Sequence, residues 1–486
     1  MERSVPASVP ECPLPDADAV DPNVTIAVFD GGLGPSPLDR WADAHEPVGI
    51  GAAVDEFADH GHDVTSALLF GPLTPGKTPD RPFTRVHHYR VLEMNADDDP
   101  LELFQVLDRI VNVLEQRPYE FISLSLGPAL PVEDDDVHVW TAKLDEMWSG
   151  GTALAGIAVG NTGLLDHASG NARIQVPGDS VNSLAIGAAD SSTADWQRAP
   201  YSSIGPGRSP GLIKPDMLSF GGGPREPFYV YGSDAPAVSQ TMGTSFATPA
   251  TIRLAAGIRA HFGDHLSPVA LKALLINAAT CNEEHSRKEV GWGRIPSTLD
   301  ELVLCPDGTV RVVYQGKIRP GGWTRASLPL PDGGLTGMVT VGATFCFFAP
   351  VDPQDPGNYT RAGLEVVFRP HADKIEDDSV NPKTTSFFKR SDFMHEDELR
   401  SDAHKWETTL HHRRRFRSSS LHRSTFDIHY NAREGGSASR SKDELSYALV
   451  VSLSAPRTVD IYDRVVRTYA TQLEVLNPTV AIPITT

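Results

Sequence analysis

The run Ile26-Ala27-Val28-Phe29 is unbroken, apolar and ends in Asp30-Gly31-Gly32, the pattern of a buried parallel strand carrying a carboxylate at its carboxyl end. Downstream, strand-like and helix-like patterns alternate. Leu101 to Leu114 has a helical period, Phe121 to Leu126 reads as a strand, Trp140 to Met147 as a helix and Ala153 to Val159 as a strand. Ala250 to Ile258 is a helix of small and apolar residues, the kind that runs buried, and Pro268 to Ala279 is a further helix whose proline suits the first turn. The alternation predicts an α/β fold with a parallel sheet. After about residue 300 the texture becomes turn-separated and β-rich, in Thr309–Tyr314, Met338–Val341, Leu364–Phe368 and Tyr447–Leu453. That predicts a β-sandwich or jelly-roll. Within it Ile375 to Asp402 is charged and reads as a long mobile loop, and the basic run His411 to Arg417 reads as a solvated face or a grip for an acidic partner.

A chain of 486 residues with 40% hydrophobic content can bury two cores, and no stretch has the apolar length of a membrane span. The net charge of −20 argues against a general nucleic-acid or anionic-membrane binder. Met1 to Asp16 has neither a basic start nor an apolar core, so no secretory signal is read and the expected address is the cytoplasm. Cys12, Cys281, Cys305 and Cys346 are scattered without paired spacing and read as reduced thiols.

Gly243-Thr244-Ser245-Phe246-Ala247-Thr248-Pro249 places a serine at the mouth of the small-residue helix, where first-turn amides are free to bind developing negative charge. Ser245 is the candidate nucleophile. Asp59-His60-Gly61-His62-Asp63 supplies a base, on a histidine that opens a helix, and Asp30 supplies a carboxylate. Asp, His, then a distant Ser is one of the chain orders in which the triad recurs. Two other chemistries compete for these residues. The Asp59-His60-His62-Asp63 cluster could make a metallohydrolase, although its spacing is poor and it leaves Ser245 unexplained. Asp30-Gly31-Gly32-Leu33-Gly34 lacks the spacing of a nucleotide loop.

These three blocks together resemble the subtilase family of serine proteases. Two more agree: Phe121 to Gly127 resembles the substrate-binding strand, and Gly156 to Gly163 resembles the segment carrying the oxyanion-hole asparagine. The resemblance spans roughly residues 24 to 300, ending near Gly291–Ile295, and implies a subtilisin-like sheet with helices on both faces. It divides the chain into a Pro-rich extension over 1–23, a catalytic domain over 24–302 and a β-rich domain over 303–486. It implies an intracellular, prokaryotic serine endopeptidase acting on protein or peptide substrates, with Asp30, His60 and Ser245 catalytic and Asn161 in the oxyanion hole. Ser125, Leu126, Gly127, Ala158 and Gly160 would bind substrate. Secreted members carry a folding prosegment, for which the stretch before the first strand leaves no space.

Calcium sites are common in the family, but the acidic run Asp97–Asp99 lacks a ligand pattern and reads as a solvated loop, so neither cofactor nor metal is expected. Trp406-Glu407-Thr408 and Phe426 to Gly436 resemble a cytoplasmic subtilase group often encoded beside an AAA-type ATPase, which makes such an ATPase an expected partner. Two departures stand out: His62 occupies a place where a small threonine is usual and could crowd His60, and Thr65 is bulkier than the very small residue usual there. A catalytically silent pseudoprotease or binding scaffold is the alternative they raise.

Overall fold

The computed structural model describes residues 11–94, 101–233, 236–282, 284–375, 379–388, 405–432 and 444–480. Asp97–Asp99, Arg433–Gly436 and most of the charged stretch up to Asp402 lie outside the described residues.

Seven strands make one parallel sheet: β1 (Thr25–Asp30), β2 (Ala42–His45), β3 (Arg85–Arg90), β4 (Phe121–Leu124), β5 (Leu154–Ala158), β6 (Leu184–Ala189) and β7 (Met217–Phe220). Their order is β2-β3-β1-β4-β5-β6-β7, so the order switches direction beside β1. Such a switch opens a crevice at the carboxyl ends of the strands. Alternation along β1 explains how the sheet is covered. Ile26 and Val28 face α1 (Asp55–Phe70), in the same buried cluster that holds α4 (Thr244–Phe262) and α5 (Pro268–Ala278). Ala27 and Phe29 face the other way, against α2 (Glu102–Gln116) and α3 (Val139–Trp148). Helices on both faces follow directly from strands that are apolar on both sides.

Helix α4 is the core of the first region, since every residue of its 19 except Arg253 is buried. It packs on β4, β5, β6 and β7 and on α1. Each fully buried aliphatic side chain there contributes about 1.5–3 kcal/mol, which fixes where its first turn sits. A hairpin of β8 (Phe228–Tyr231) and β9 (Val238–Thr241) leads into that turn. Residues 11–23 run along the same region, with Cys12 fully buried and the Tyr231 hydroxyl donating to the Pro13 carbonyl at 3.1 Å.

The second region holds β10 (Thr309–Ile318), β11 (Trp323–Ser327), β12 (Met338–Phe347), β13 (Ala362–Arg369), β14 (Thr409–Arg417), β15 (Thr425–Ala432) and β16 (Leu445–Ser454). They form antiparallel sheets in the orders β10-β16-β12-β14 and β11-β15-β13. Phe416 of β14 and Phe368 of β13 bring their rings to 5.6 Å, so the two sheets face each other as a sandwich. The charged stretch expected to be a mobile loop is not wholly one. Phe387 and Phe388 within it are buried, and Phe387 packs on Phe368 at 5.2 Å.

The basic run is the edge strand β14, and its alternation separates its members. Arg413 is exposed, as expected of a solvated face, yet its Nη2 donates to the carbonyl of Asn277 at 2.8 Å, at the end of α5. Helix carbonyls left without amides are thereby satisfied. His411 is buried and pairs with the Thr344 hydroxyl at 2.7 Å. The two regions are joined by further buried polar contacts. The Thr408 hydroxyl donates to the Val181 carbonyl at 2.7 Å, the Gly211 amide donates to Glu407 at 3.0 Å, and the Tyr359 hydroxyl donates to Asp145 at 2.8 Å.

Candidate active site

Asp30 is the last residue of β1 and has no exposed surface. Its Oδ1 accepts from the Gly31 amide at 2.8 Å and stands 2.9 Å from Nδ1 of His60. His60 lies in the second turn of α1 rather than at its start, because the helix begins five residues earlier at Asp55. Asp55 and Glu56 complement the positive end of the helix dipole there. The Asp30 carboxylate pushes the His60 pKa up to about 8, with burial acting the other way. About 38% of the His60 side chain remains exposed, so the ring is open to a substrate.

Ser245 is the second residue of α4, and the His60 ring lies 6.0 Å from that of Phe246. Phe246, the residue after the nucleophile candidate, thus brings the first turn of α4 beside the base. The Ser245 amide has no acceptor among the described residues, as expected of a first-turn donor. Pro249 sits four residues further on and has no N–H, so the carbonyl of Ser245 loses its helical partner. The hydroxyl of Ser125 takes that place, donating to the Ser245 carbonyl at 3.0 Å. Thus Ser125, read from sequence as a substrate-binding residue, also anchors the backbone of the nucleophile.

Asn161 lies beyond the end of β5. Its Oδ1 accepts from the amide of Thr244 at 3.0 Å and from the Thr244 hydroxyl at 3.1 Å. With the carbonyl end tied to the first turn of α4, the NH₂ end is left to face elsewhere. Its Nδ2 lies 3.6 Å from where a Cβ on Gly243 would stand.

Ser125, Leu126 and Gly127 leave the carboxyl end of β4, which stops at Leu124, while Ala158 closes β5 and Gly160 follows it. The two arms flank a segment that sequence reading missed. Gln175 donates its amide to the Val159 carbonyl at 2.9 Å, and Val176 donates to Leu130 at 3.0 Å. A Cβ on Gly127 would stand 2.4 Å from the Val176 carbonyl oxygen, and one on Gly160, at φ +97°, would stand 2.1 Å from Oε1 of Gln175. Gly127 is demanded by close approach to backbone, and Gly160 by its positive φ. The signal for Gln175 was the pair of glycines itself, which implies a third element packed between the arms.

His62 does not crowd His60. Two residues along a helix turn the side chain by roughly 200°, and His62 is buried on the face of α1 where Ser66 accepts from the Tyr231 amide at 2.9 Å. Burial holds its pKa below the ordinary value. The side chains of Asp59, His60, His62 and Asp63 accordingly do not converge as a metal cluster requires. Among the described residues no group of three or more His, Cys, Asp or Glu is placed to hold a metal ion. Asp63 is instead pushed up to about 7 by burial, with His60 acting against the rise.

Residues 23–293 match the model of the subtilase family. Among solved structures, the prenylagaramide maturation protease PagA is 20% identical, with 58% of this chain and 94% of that chain covered and a TM-score of 0.43. The PatG macrocyclase in complex with peptide is 17% identical, covering 59% and 93%, with a TM-score of 0.44. The serine protease of Aeromonas sobria in complex with its chaperone is 12% identical, covering 89% and 88%, with a TM-score of 0.41. No curated protein matches the sequence.

Proposed function

Since the chain belongs to the subtilase family of serine proteases, we propose that it is an endopeptidase cleaving proteins or peptides through an acyl-enzyme formed on Ser245. The observation that carries this reading is the buried Asp30 carboxylate held 2.9 Å from Nδ1 of His60, beside the first turn of α4.

Asp30 fixes the tautomer in which Nδ1 carries the proton, leaving Nε2 of His60 to take the proton of the Ser245 hydroxyl as its oxygen attacks the scissile carbonyl. The imidazolium so formed is stabilised by the same carboxylate. Charge on the carbonyl oxygen is met by the Asn161 NH₂ and the unpaired Ser245 amide, groups already oriented by their neighbours before reaction. His60 then passes its proton to the leaving amine, and water, deprotonated by the same ring, releases the acyl group. Substrate lies between Ser125–Gly127 and Ala158–Gly160, with Gln175 at the base of the cleft. Resting on sequence resemblance, the cytoplasm is the proposed site of action and an AAA-type ATPase the proposed partner.

Turnover of a peptide library with identification of the new termini tests the activity. Internal cleavage that disappears in Ser245→Ala is expected, whereas internal cleavage of equal rate in that variant would remove the assignment. Tight peptide binding without cleavage by the native protein would favour the scaffold reading.

A further inference from the structure

Gly61 of α1 touches the chain that follows Asp30: a Cβ on Gly61 would stand 2.2 Å from the Gly32 carbonyl oxygen and 2.9 Å from Cε1 of His88. Two backbones this close need something to hold their separation. His88, on β3, is fully buried and lies against both. The Gly32 amide donates to its Nε2 at 3.2 Å, its Nδ1 is 2.9 Å from the Thr65 hydroxyl, and that hydroxyl lies 2.9 Å from the Gly61 carbonyl.

The hydrogen positions follow without choice. A backbone amide can only donate, so Nε2 of His88 carries the lone pair. Burial pushes the ring's pKa down to about 4, so it is neutral and its single proton is on Nδ1. Nδ1–H therefore donates to Thr65, and the Thr65 hydroxyl gives its own proton to Gly61. The chain runs from Gly32, two residues after Asp30, to Gly61, one residue after His60.

We propose that His88 and Thr65 are positioning residues that set the approach of His60 to Asp30, a role that rests on the catalytic reading above. The Asp30 carboxylate itself supports this. Its Oδ2 is buried with no hydrogen-bond partner among the described residues, so only Oδ1 is tied down there. The aim of the carboxylate is then set by the backbone at Gly31 and Gly32, which His88 holds. Thr65, a departure from the small residue usual in the family, is the hydroxyl that β3's histidine requires. The charged and titratable groups facing this cluster are Asp30 on β1, His60, His62 and Asp63 on α1, His45 on β2, and Arg90 on β3, whose side chain packs on Gly32 and is paired with Glu46.

The test compares Thr65→Val with Thr65→Ser in the full chain, with rates expressed per active site titrated by a fluorophosphonate. Thr65→Val removes the hydroxyl at nearly constant volume and is expected to lower kcat about tenfold to a hundredfold with KM little changed. The apparent pKa of its rate profile should fall from about 8 toward about 6.5 as His60 loosens from Asp30. Thr65→Ser should restore both. The double variant with His88→Phe should be no worse than the poorer single variant, because one broken link opens the whole chain.

Unchanged kcat per site and unchanged pKa in Thr65→Val, with only the melting temperature lowered, would overturn the proposal. Failure of Thr65→Ser to rescue would do the same. Should Thr65→Val not fold, ¹⁵N spectra of the native protein decide: His88 is expected as the Nδ1–H tautomer, untitrated between about pH 5 and 9, and an Nε2–H tautomer or an ordinary titration overturns the relay. A native protein with the expected spectrum but no turnover would sink the protease reading while supporting the relay.

Discussion

Replacing Asn161 by alanine removes two things that the structure keeps on opposite ends of one amide. The NH₂ end is the proposed oxyanion donor, and a lost donor of this kind costs about 10²–10³ in kcat. Its other end accepts from the Thr244 amide and hydroxyl at 3.0 and 3.1 Å. Those are neutral hydrogen bonds worth about 1 kcal/mol each. Asn161→Ala should therefore lower stability by about 2 kcal/mol, or about 4–8 °C in Tm for a region of this size. Asn161→Asp separates the two losses. It keeps an acceptor for Thr244 but offers carboxylate charge where the oxyanion forms, so its Tm should stay closer to the native value while kcat falls at least as far. Steady-state hydrolysis of a chromogenic peptide, with burst kinetics to establish that acylation limits the rate, provides the assay. KM should change little, because the donor meets charge present only in the transition state. A native kcat in Asn161→Asp under acylation-limited conditions would refute the reasoning, and a kcat loss that tracks Tm across both variants would reduce Asn161 to a cap for α4.

The rate should rise with pH through an apparent pKa of about 8, because His60 must be neutral to accept the serine proton; a midpoint at or below about 6.5 would deny Asp30 its electrostatic role. The sign for stability is opposite: the charged pair with Asp30 stabilises fully below the unfolded histidine pKa and is lost as pH rises through about 8, measurable as a decline in Tm over that window against His60→Ala. Gly127→Ala places a Cβ against the backbone oxygen of Val176 at 2.4 Å, so the arm must shift, and kcat/KM should fall about a hundredfold; native kinetics would show that this arm does not bind substrate. Arg413→Ala should lower Tm by about 2–4 °C, the equivalent of about 1 kcal/mol, with peptide hydrolysis per folded molecule unchanged; loss of peptide cleavage at native Tm would contradict its structural role at the end of α5.

Where the sequence was legible, one local pattern carried both fold and chemistry. Ile26 to Phe29 is apolar at every position, so strand, burial on both faces and a carboxylate at the strand end followed together. Short polar strands hid β2 and β3: Arg85-Val86-His87-His88-Tyr89-Arg90 has no apolar run, yet His88 is buried because Gly32 and Thr65 satisfy its nitrogens. The polar first turns of α1 carry no apolar period, so the sequence puts its start at His60, although Asp55 and Glu56 are a dipole signal at the true start. The basic run is a solvated face at Arg413, Arg415 and Arg417, which are exposed, but its pattern gave no sign of the contacts Arg413 also makes. Composition counts arginines, but only packing shows that Arg413 turns to the carbonyls of α5. Gln175 and the Ser125 to Ser245 contact depend on segments far apart in the chain: Gly127 and Gly160 signal that something approaches closely, but no local pattern names the partner.

The central claim is that Ser245 is a nucleophile activated by His60. The most direct measurement is fluorophosphonate labelling of the native protein, Ser245→Ala and His60→Ala, with the modified residue located by peptide mass mapping and the labelling rate measured against pH. One adduct on Ser245 is predicted, absent in Ser245→Ala, slowed by orders of magnitude in His60→Ala, and forming in the native protein with a pH midpoint near 8. An adduct on another residue, or equal labelling rates for native protein and His60→Ala, would contradict the account.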